Sequence, residues 1–486
     1  MAAWRESLHR RLRPWEEGSG VKRREVNKRR AKRTTPEAER AQSHRFLVAA
    51  LVPVFICVLF PIVRVGNVVG RHSRFSPIDE VAHWDYIQRL SIGEFPRMGD
   101  RLRAETLREA ACRGVALPEM VLPPCGARTL FPDDFPGRAY QYEAQQPPLY
   151  YALSIPLSLL TGGLFGLGPV RGARLTGAFW LASALLLTWR TGRILGVART
   201  SLSAAILLVA SAPVVTYHAS VVSNDAMALF SGALVCYATA CVHIGPDDRT
   251  WLATVSGVVA AMVKTTCLIP CVILGSLLLW AGRPWTAREP AATSAEVSRR
   301  CRRGGLGLIL GALLPTAIWV GLSRSLATIP LEQIPAFDVL QGKPVNILVI
   351  AREALLVLSP LTDAYTPFAA PYPNTYRVLA VLLRVLVLGT ALTGCLVWAK
   401  RGWWHDVGPV VVAGLYLGGV VLGIGIWRAY QVDPGLSGRY GLAAVPALML
   451  VLAAAFRSRA GRLLLLLGSG AYALVSTWML MRTPLA

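Results

Sequence analysis

Long apolar runs set the pattern of this chain. From residue 46 onward they recur at about the 20-residue length a helix needs to cross a bilayer. The runs are continuous rather than alternating, so they predict helices and not the strands of a β-barrel. The predicted spans are 46–66, 172–189, 200–220, 224–243, 251–264, 266–282, 304–323, 377–399, 408–427, 440–456 and 461–481. Two short ones meet at Lys264 and read as a tight hairpin. Residues 148–165 and 346–361 either span or lie at the interface. The expected class is an all-α polytopic membrane protein.

Composition points the same way. Of 486 residues, 53% are hydrophobic and 16% are charged, against about 25% charged in a soluble domain. That excludes a soluble enzyme, a secreted disulfide scaffold and a disordered chain. The net charge is +23, and residues 1–45 supply +8 of it (14 Lys/Arg against 6 Asp/Glu). A basic tail beside a first span predicts a cytoplasmic N-terminus at an anionic leaflet rather than a nucleic-acid site. The first apolar run lacks a small-residue cleavage site, which predicts a retained signal-anchor helix. Arg outnumbers Lys by 45 to 6, a bias that suggests a high-GC bacterial source and hence a plasma-membrane location.

Basic loops fix the orientation. With 148–165 lying at the interface, four loops fall on the cytoplasmic side: 190–199, 283–303, 400–407 and 457–462. They carry Arg190, Arg193, Arg199, six arginines, Lys400, Arg401, Arg457, Arg459 and Arg462. This is the positive-inside pattern. It gives eleven spans, an external segment at 67–171 and a second one at 324–376. The domain plan is a basic cytoplasmic tail, 1–45, and a transmembrane domain, 46–486. Cys112 and Cys125 share the first external segment and can pair if it faces an oxidising compartment. Six cysteines in apolar runs read as small hydrophobes.

Candidate chemistry collects at the external ends. In Ser76-Pro77-Ile78-Asp79-Glu80-Val81-Ala82-His83, Asp79 and His83 stand i,i+4 and share a helix face. Two adjacent carboxylates near apolar surface resist joint ionisation, so one can take a proton. The plain alternative is a pair of carboxylates complementing a helix dipole. Glu143 and Gln146 precede Pro147 and Pro148 at the mouth of the 148–165 helix, or merely cap it. Asn224 and Asp225 either cap the next helix or offer polar groups to a sugar. Lys264 is a lone cation in an apolar stretch, a functional hypothesis by default, unless it snorkels to the interface. Arg439 has a fork suited to phosphate, and with Tyr440 it also suits an interfacial anchor. The topology, drawn without these motifs, puts all of them on one side. Carboxylates together with phosphate-seeking cations suggest a reaction on a lipid phosphate.

This ordered set resembles the GT-C superfamily of integral-membrane glycosyltransferases. Asp79-Glu80 follow the first span, and Gln146-Pro147-Pro148-Leu149-Tyr150-Tyr151 is similar to an element of bacterial aminoarabinose transferases and protein mannosyltransferases. The nearest likeness is to an uncharacterised bacterial branch of predicted membrane proteins. The resemblance implies a GT-C-like bundle of about 11–13 transmembrane helices with a large first external loop. It implies an inverting hexosyl- or pentosyltransferase, such as a mannosyl- or arabinofuranosyltransferase of cell-envelope biogenesis. The donor would be a polyprenyl-phosphate sugar and the acceptor a glycan, lipid or protein. Asp79 would deprotonate the acceptor, with Glu80 and His83 positioning it or sharing the proton. Lys264 and Arg439 would hold the phosphate, and Asn224 and Asp225 would line the sugar site. No cofactor is assigned, and a divalent metal on Asp79 and Glu80 stays open. A flippase of lipid-linked sugars and a lipid-linked oligosaccharide polymerase or ligase are the competing readings.

Overall fold

The computed structural model describes residues 51–116, 120–245, 248–282, 291–329, 346–358, 360–362, 373–397, 404–430 and 435–483. The basic tail, 1–45, lies outside them. Within them the chain is helical, with two isolated bridges, Phe75 to Val115 and Arg101 to Tyr140, and no strand. It is an all-α polytopic membrane protein. Helix α1 runs Leu51–Arg71 and includes one π-helical turn, Phe55–Leu59. The first polar segment holds α2 (Glu80–Ser91) and α3 (Ala104–Arg113). Then come α4 (Leu149–Phe165), α5 (Pro169–Ile194), α6 (Arg199–Ser211), α7 (Pro213–His218) and α8 (Asp225–Ile244). They are followed by α9 (Thr250–Val263), α10 (Leu268–Ala281) and α11 (Ala291–Ser325). The last are α12 (Ile347–Val357), α13 (Pro373–Val397), α14 (Trp404–Tyr430), α15 (Val445–Ala455) and α16 (Arg459–Arg482).

Every predicted span meets a helix or a broken pair of helices, but the pieces differ from uniform rods. Among the described residues six helices are long and apolar enough to cross a membrane singly, and a bent pair would make a seventh. That pair is α4 and α5, which meet at 108°. The predicted span 200–220 is broken because Pro213 has no N–H to continue α6. The hairpin at Lys264 is two short helices with an extended residue between them (Lys264 φ −162, ψ 139). Helix α12 has 11 residues. At 1.5 Å per residue it is too short to cross a core of about 30 Å.

The break before α7 is matched by a charge that the hydropathy pattern conceals. Arg64, in the first span, is 4% exposed. Its Nη2 donates to the Ser211 carbonyl (3.1 Å) and its Nε to Thr216 Oγ1 (3.3 Å), and it also bonds Thr477. The carbonyl that the break leaves without a helical donor therefore receives one from the guanidinium. A backbone group at membrane depth has no water to turn to, so such a partner is needed.

The polar segment after α1 is pinned to the bundle by one buried ion pair. Glu80 at the start of α2 and Arg174 in α5 both have fully buried side chains. The guanidinium meets the carboxylate as a fork, Nε to Oε1 at 2.7 Å and Nη2 to Oε2 at 2.8 Å. It also donates to the carbonyls of His72 (2.5 Å) and Arg74 (2.6 Å). The carboxylate accepts from the backbone N–H of Ser76 (2.6 Å) and of Val222 (2.8 Å). Burial alone would raise the Glu80 carboxyl, but Arg174 and these donors outweigh it and hold it below the usual value. Three chain segments thus converge on one pair. Gly177 admits the third: a Cβ there would overlap the Ala219 carbonyl. Gly232 of α8 likewise leaves room for Ala443, in the turn Gly438–Ala444.

A buried pair with one partner removed leaves an uncompensated charge, at a cost of about 3–5 kcal/mol. Arg174→Leu and Glu80→Gln are each expected to destabilise the protein by about that much, read as a lowered unfolding midpoint in detergent. A change under about 1 kcal/mol, the size of a surface pair, would contradict the clamp.

Candidate active site

Asp79 immediately precedes α2 and adopts a left-handed conformation, φ 59 and ψ 2. Such a conformation costs a non-glycine residue about 1–2 kcal/mol, and strain of this kind concentrates at functional sites. Its side chain makes no helix cap. Instead Oδ1 accepts from the Tyr142 hydroxyl (3.1 Å) and Oδ2 from Arg439 Nη2 (3.0 Å). The dipole-complementing role open to it in the sequence is therefore not what its carboxylate does. Burial by itself would raise the Asp79 carboxyl, but the Arg439 charge and the hydrogen bonds from Arg439 and Tyr142 hold it below the usual value.

His83 lies one turn on. Its Nδ1 is 2.8 Å from the Tyr151 hydroxyl and 3.6 Å from Glu143 Oε2. Burial pushes the imidazole down to about 4, against the pull of Asp79 and with the help of Lys264, so it is neutral at pH 7. Glu143 is moved the other way. Burial and then the nearby Asp79 push its carboxyl up to about 8, against Lys264 and Arg439. Two carboxyls in one site thus have their proton affinities driven apart, the pattern by which acid and base roles separate.

Asp85, on the same helix, braces this arrangement. It is fully buried and accepts from Arg89 Nε, Arg103 N and Thr106 Oγ1 at 2.8 Å, and from Gln141 Nε2 at 2.9 Å. Gln141 also donates to the Ala82 carbonyl (2.9 Å), and its Oε1 accepts from the Glu143 N–H (3.2 Å). Behind it Tyr86 stacks on Tyr151, ring centroids 3.8 Å apart, and donates to the Gln146 carbonyl (3.2 Å). The Gln146-Pro147-Pro148 entrance to α4 is therefore tied to α2.

The far wall is a second ion pair. Lys264 Nζ donates to Asp225 Oδ1, and both are buried. Asp225 Oδ2 accepts from Ser223 Oγ (3.1 Å) and lies 3.2 Å from His218 Nδ1. Tyr440 sits between the two cations, its ring centroid 5.7 Å from Lys264 Nζ and 5.5 Å from Arg439 Cζ. Asn224 stands at the N-cap position of α8 without capping it. Its Nδ2 points to Gln146 Oε1 (3.5 Å) and the Val263 carbonyl (3.4 Å), and its Oδ1 is buried with no hydrogen-bond partner.

Of the residues singled out in the sequence, Asp79, His83, Glu143, Gln146, Asn224, Asp225, Lys264, Arg439 and Tyr440 are joined by these contacts. Glu80 is not among them: its two oxygens are taken by Arg174, Ser76 and Val222, so it holds the fold and does not face the site. The arrangement also does not suit a divalent metal on Asp79 and Glu80, because each is committed to an arginine. Among the described residues no three His, Cys, Asp or Glu side chains converge on a metal position. Tyr142, Asp85, Gln141 and His218 were not singled out; only their nearness to the motifs hints at them.

The left-handed backbone at Asp79 has a measurable consequence. Asp79→Gly and Asp79→Ala remove the same carboxylate, but only alanine keeps the conformational penalty. Asp79→Gly is expected to be the more stable by about 1 kcal/mol, read from their unfolding midpoints. Equal stability, or a more stable alanine variant, would show the backbone there to be unstrained.

No family model matches the chain, and no curated protein matches it either. Among solved structures it is similar to the Archaeoglobus fulgidus oligosaccharyltransferase in complex with Zn and sulfate, at 13% identity and a TM-score of 0.38, over 89% of this chain and 51% of that one. It is similar also to archaeal oligosaccharyltransferase AglB from Archaeoglobus fulgidus, in complex with an inhibitory peptide and a dolichol-phosphate. There the identity is 14% and the TM-score 0.41, over 90% of this chain and 55% of that one. The chain thus spans about half the length of each.

Proposed function

We propose that this protein is an inverting membrane glycosyltransferase that moves a sugar from a polyprenyl-phosphate donor to a cell-envelope glycan, lipid or protein. The observation that carries the reading is the Asp79–Arg439 pair beside the Asp225–Lys264 pair. Two cations and their carboxylates share one polar layer at the helix ends. The donor class rests on the ordered set of motifs, Asp79-Glu80 through Gly438-Arg439-Tyr440. When the sugar leaves its donor, negative charge gathers on the phosphate oxygen. Fixed cations in a water-poor site stabilise that charge more than water does. Arg439, with its planar fork, and Lys264, a point charge, are the groups for it. Asn224 Oδ1, buried and without a partner, is available to a sugar hydroxyl.

The external face is part of the proposal. It is supported by the Cys112–Cys125 disulfide in the same polar segment as Asp79, since disulfides persist in oxidising compartments. The basic loops at 190–199 and 457–462, expected on the cytoplasmic side, stand at the C-terminal end of α5 and the N-terminal end of α16, whereas Arg174 lies near the start of α5 and Arg71 meets the end of α16. On this orientation α4 lies along the interface, its apolar residues Leu159, Leu160, Leu164 and Phe165 exposed to lipid. A transporter would need uncompensated charge facing a path through the bilayer. The charge in the first span, Arg64, is instead consumed by fixed partners.

The resemblance makes Asp79 the carboxylate at the acceptor hydroxyl. Asp79→Asn in nanodiscs is expected to retain binding of a polyprenyl-phosphate sugar while losing about 10²–10⁴-fold in turnover, read as release of polyprenyl phosphate across a panel of sugars. Wild-type binding without turnover for any sugar or acceptor would move the reading to a transporter. Equal turnover by both would remove Asp79 from the reaction.

A further inference from the structure

Five carboxylates lie in and around the site and differ in what they face; Asp85 is taken by Arg89, Arg103, Thr106 and Gln141. Glu80 is saturated by Arg174 and two backbone donors. Asp79 is paired with Arg439 and Asp225 with Lys264. Glu143, 6% exposed, has no Lys or Arg partner among the described residues; its Oε2 lies 3.6 Å from His83 Nδ1. We infer that Glu143, not Asp79, takes the proton from the acceptor hydroxyl, with His83 as the residue that positions it and Asp79 staying ionised against Arg439. This rests on the transferase reading and assigns the proton within it.

The geometry favours this division. For Asp79 to accept a proton it would have to surrender the guanidinium, and with it the orientation of the group meant for the phosphate. Glu143 surrenders nothing. Its backbone is fixed through Gln141 to Asp85 and Ala82, and its carboxylate is bounded by His83, which the Tyr151 hydroxyl holds at 2.8 Å. The titratable and charged groups around it are Asp79, His83, Tyr86, Tyr142, Tyr151, Asp225, Lys264 and Arg439. Burial and Asp79 raise its carboxyl to about 8, which brings it near the working pH, where a general base is most efficient.

The step balances. The acceptor O–H proton passes to a Glu143 oxygen. The oxygen lone pair forms the bond to the anomeric carbon from the face opposite the phosphate. The anomeric C–O bond to phosphate breaks, and its electron pair leaves as polyprenyl phosphate against Arg439 and Lys264. Glu143 then returns its proton to solvent.

The test uses the full chain in nanodiscs, with decaprenyl-phosphate donors carrying a hexose or a pentofuranose and octyl glycosides as acceptors. A base must be deprotonated to act, so kcat/KM is expected to rise with pH through about 8. Glu143→Gln should lose about 10²–10⁴-fold together with that limb, and formate should restore part of the turnover of Glu143→Ala. Asp79→Asn should be slow yet keep a limb, moved to lower pH because the Asp79 charge that helps raise Glu143 is gone. On the protein alone, infrared difference spectra between pH 6 and 9 should show a protonated carboxyl that Glu143→Gln removes and Asp79→Asn does not. Turnover of Glu143→Gln within tenfold of wild type, a limb that disappears only in Asp79→Asn, or no such infrared band would each overturn the assignment while leaving the transferase intact. A wild type inert with every donor would overturn the transferase reading and this assignment with it.

Discussion

The Glu80–Arg174 pair is the constraint on which the rest of the site depends. A fully buried carboxylate and guanidinium stand only because each is also satisfied by backbone groups. Those groups belong to the loop after α1 and to the chain entering α8, and the guanidinium comes from α5, so satisfying the charges also fixes three segments relative to one another. Asp79 is the residue next to Glu80 and inherits its position from the clamp. Its left-handed backbone follows from the same demand: the chain must turn sharply enough for Glu80 to point inward and Asp79 to point at Arg439.

Beyond the clamp the site is organised by unequal pairing of charge. Asp79, Glu80, Asp85 and Asp225 have cations, and Glu143 has a neutral imidazole. In a poorly hydrated cluster this difference decides protonation more than chemical type does, because desolvation penalises an unpaired charge far more than a paired one. Asp79 and Glu143, side chains of nearly the same chemistry, are displaced in opposite directions by their surroundings. Arg439 and Lys264 share one aromatic neighbour, lying 5.5 and 5.7 Å from the Tyr440 ring centroid.

Much of this was legible in the sequence. Apolar run length gave the helices, and the motifs at residues 79–83, 143–146, 224–225, 264 and 439–440 do meet in space. Four things were not legible. Adjacent carboxylates such as Asp79 and Glu80 look equivalent in a string, and only the partner 94 residues away, Arg174, separates a structural group from a site group. Arg174 and Arg64 lie within apolar helices, where a hydropathy average conceals a single charge. The break inside the predicted span 200–220 was also smoothed over, because Pro213 interrupts hydrogen bonding without lowering hydropathy much. The backbone at Asp79 carried no glycine to announce a left-handed turn.

The central claim is that one cluster holds a lipid phosphate with Arg439 and Lys264 beside Asp79 and Glu143. The most direct measurement is an experimental structure of the protein in nanodiscs with decaprenyl phosphate. The account predicts the phosphate within hydrogen-bonding distance of Arg439 and Lys264, on the same side of the bilayer as the Cys112–Cys125 disulfide. A phosphate bound instead among the arginines at 299–303, on the opposite side, would contradict it.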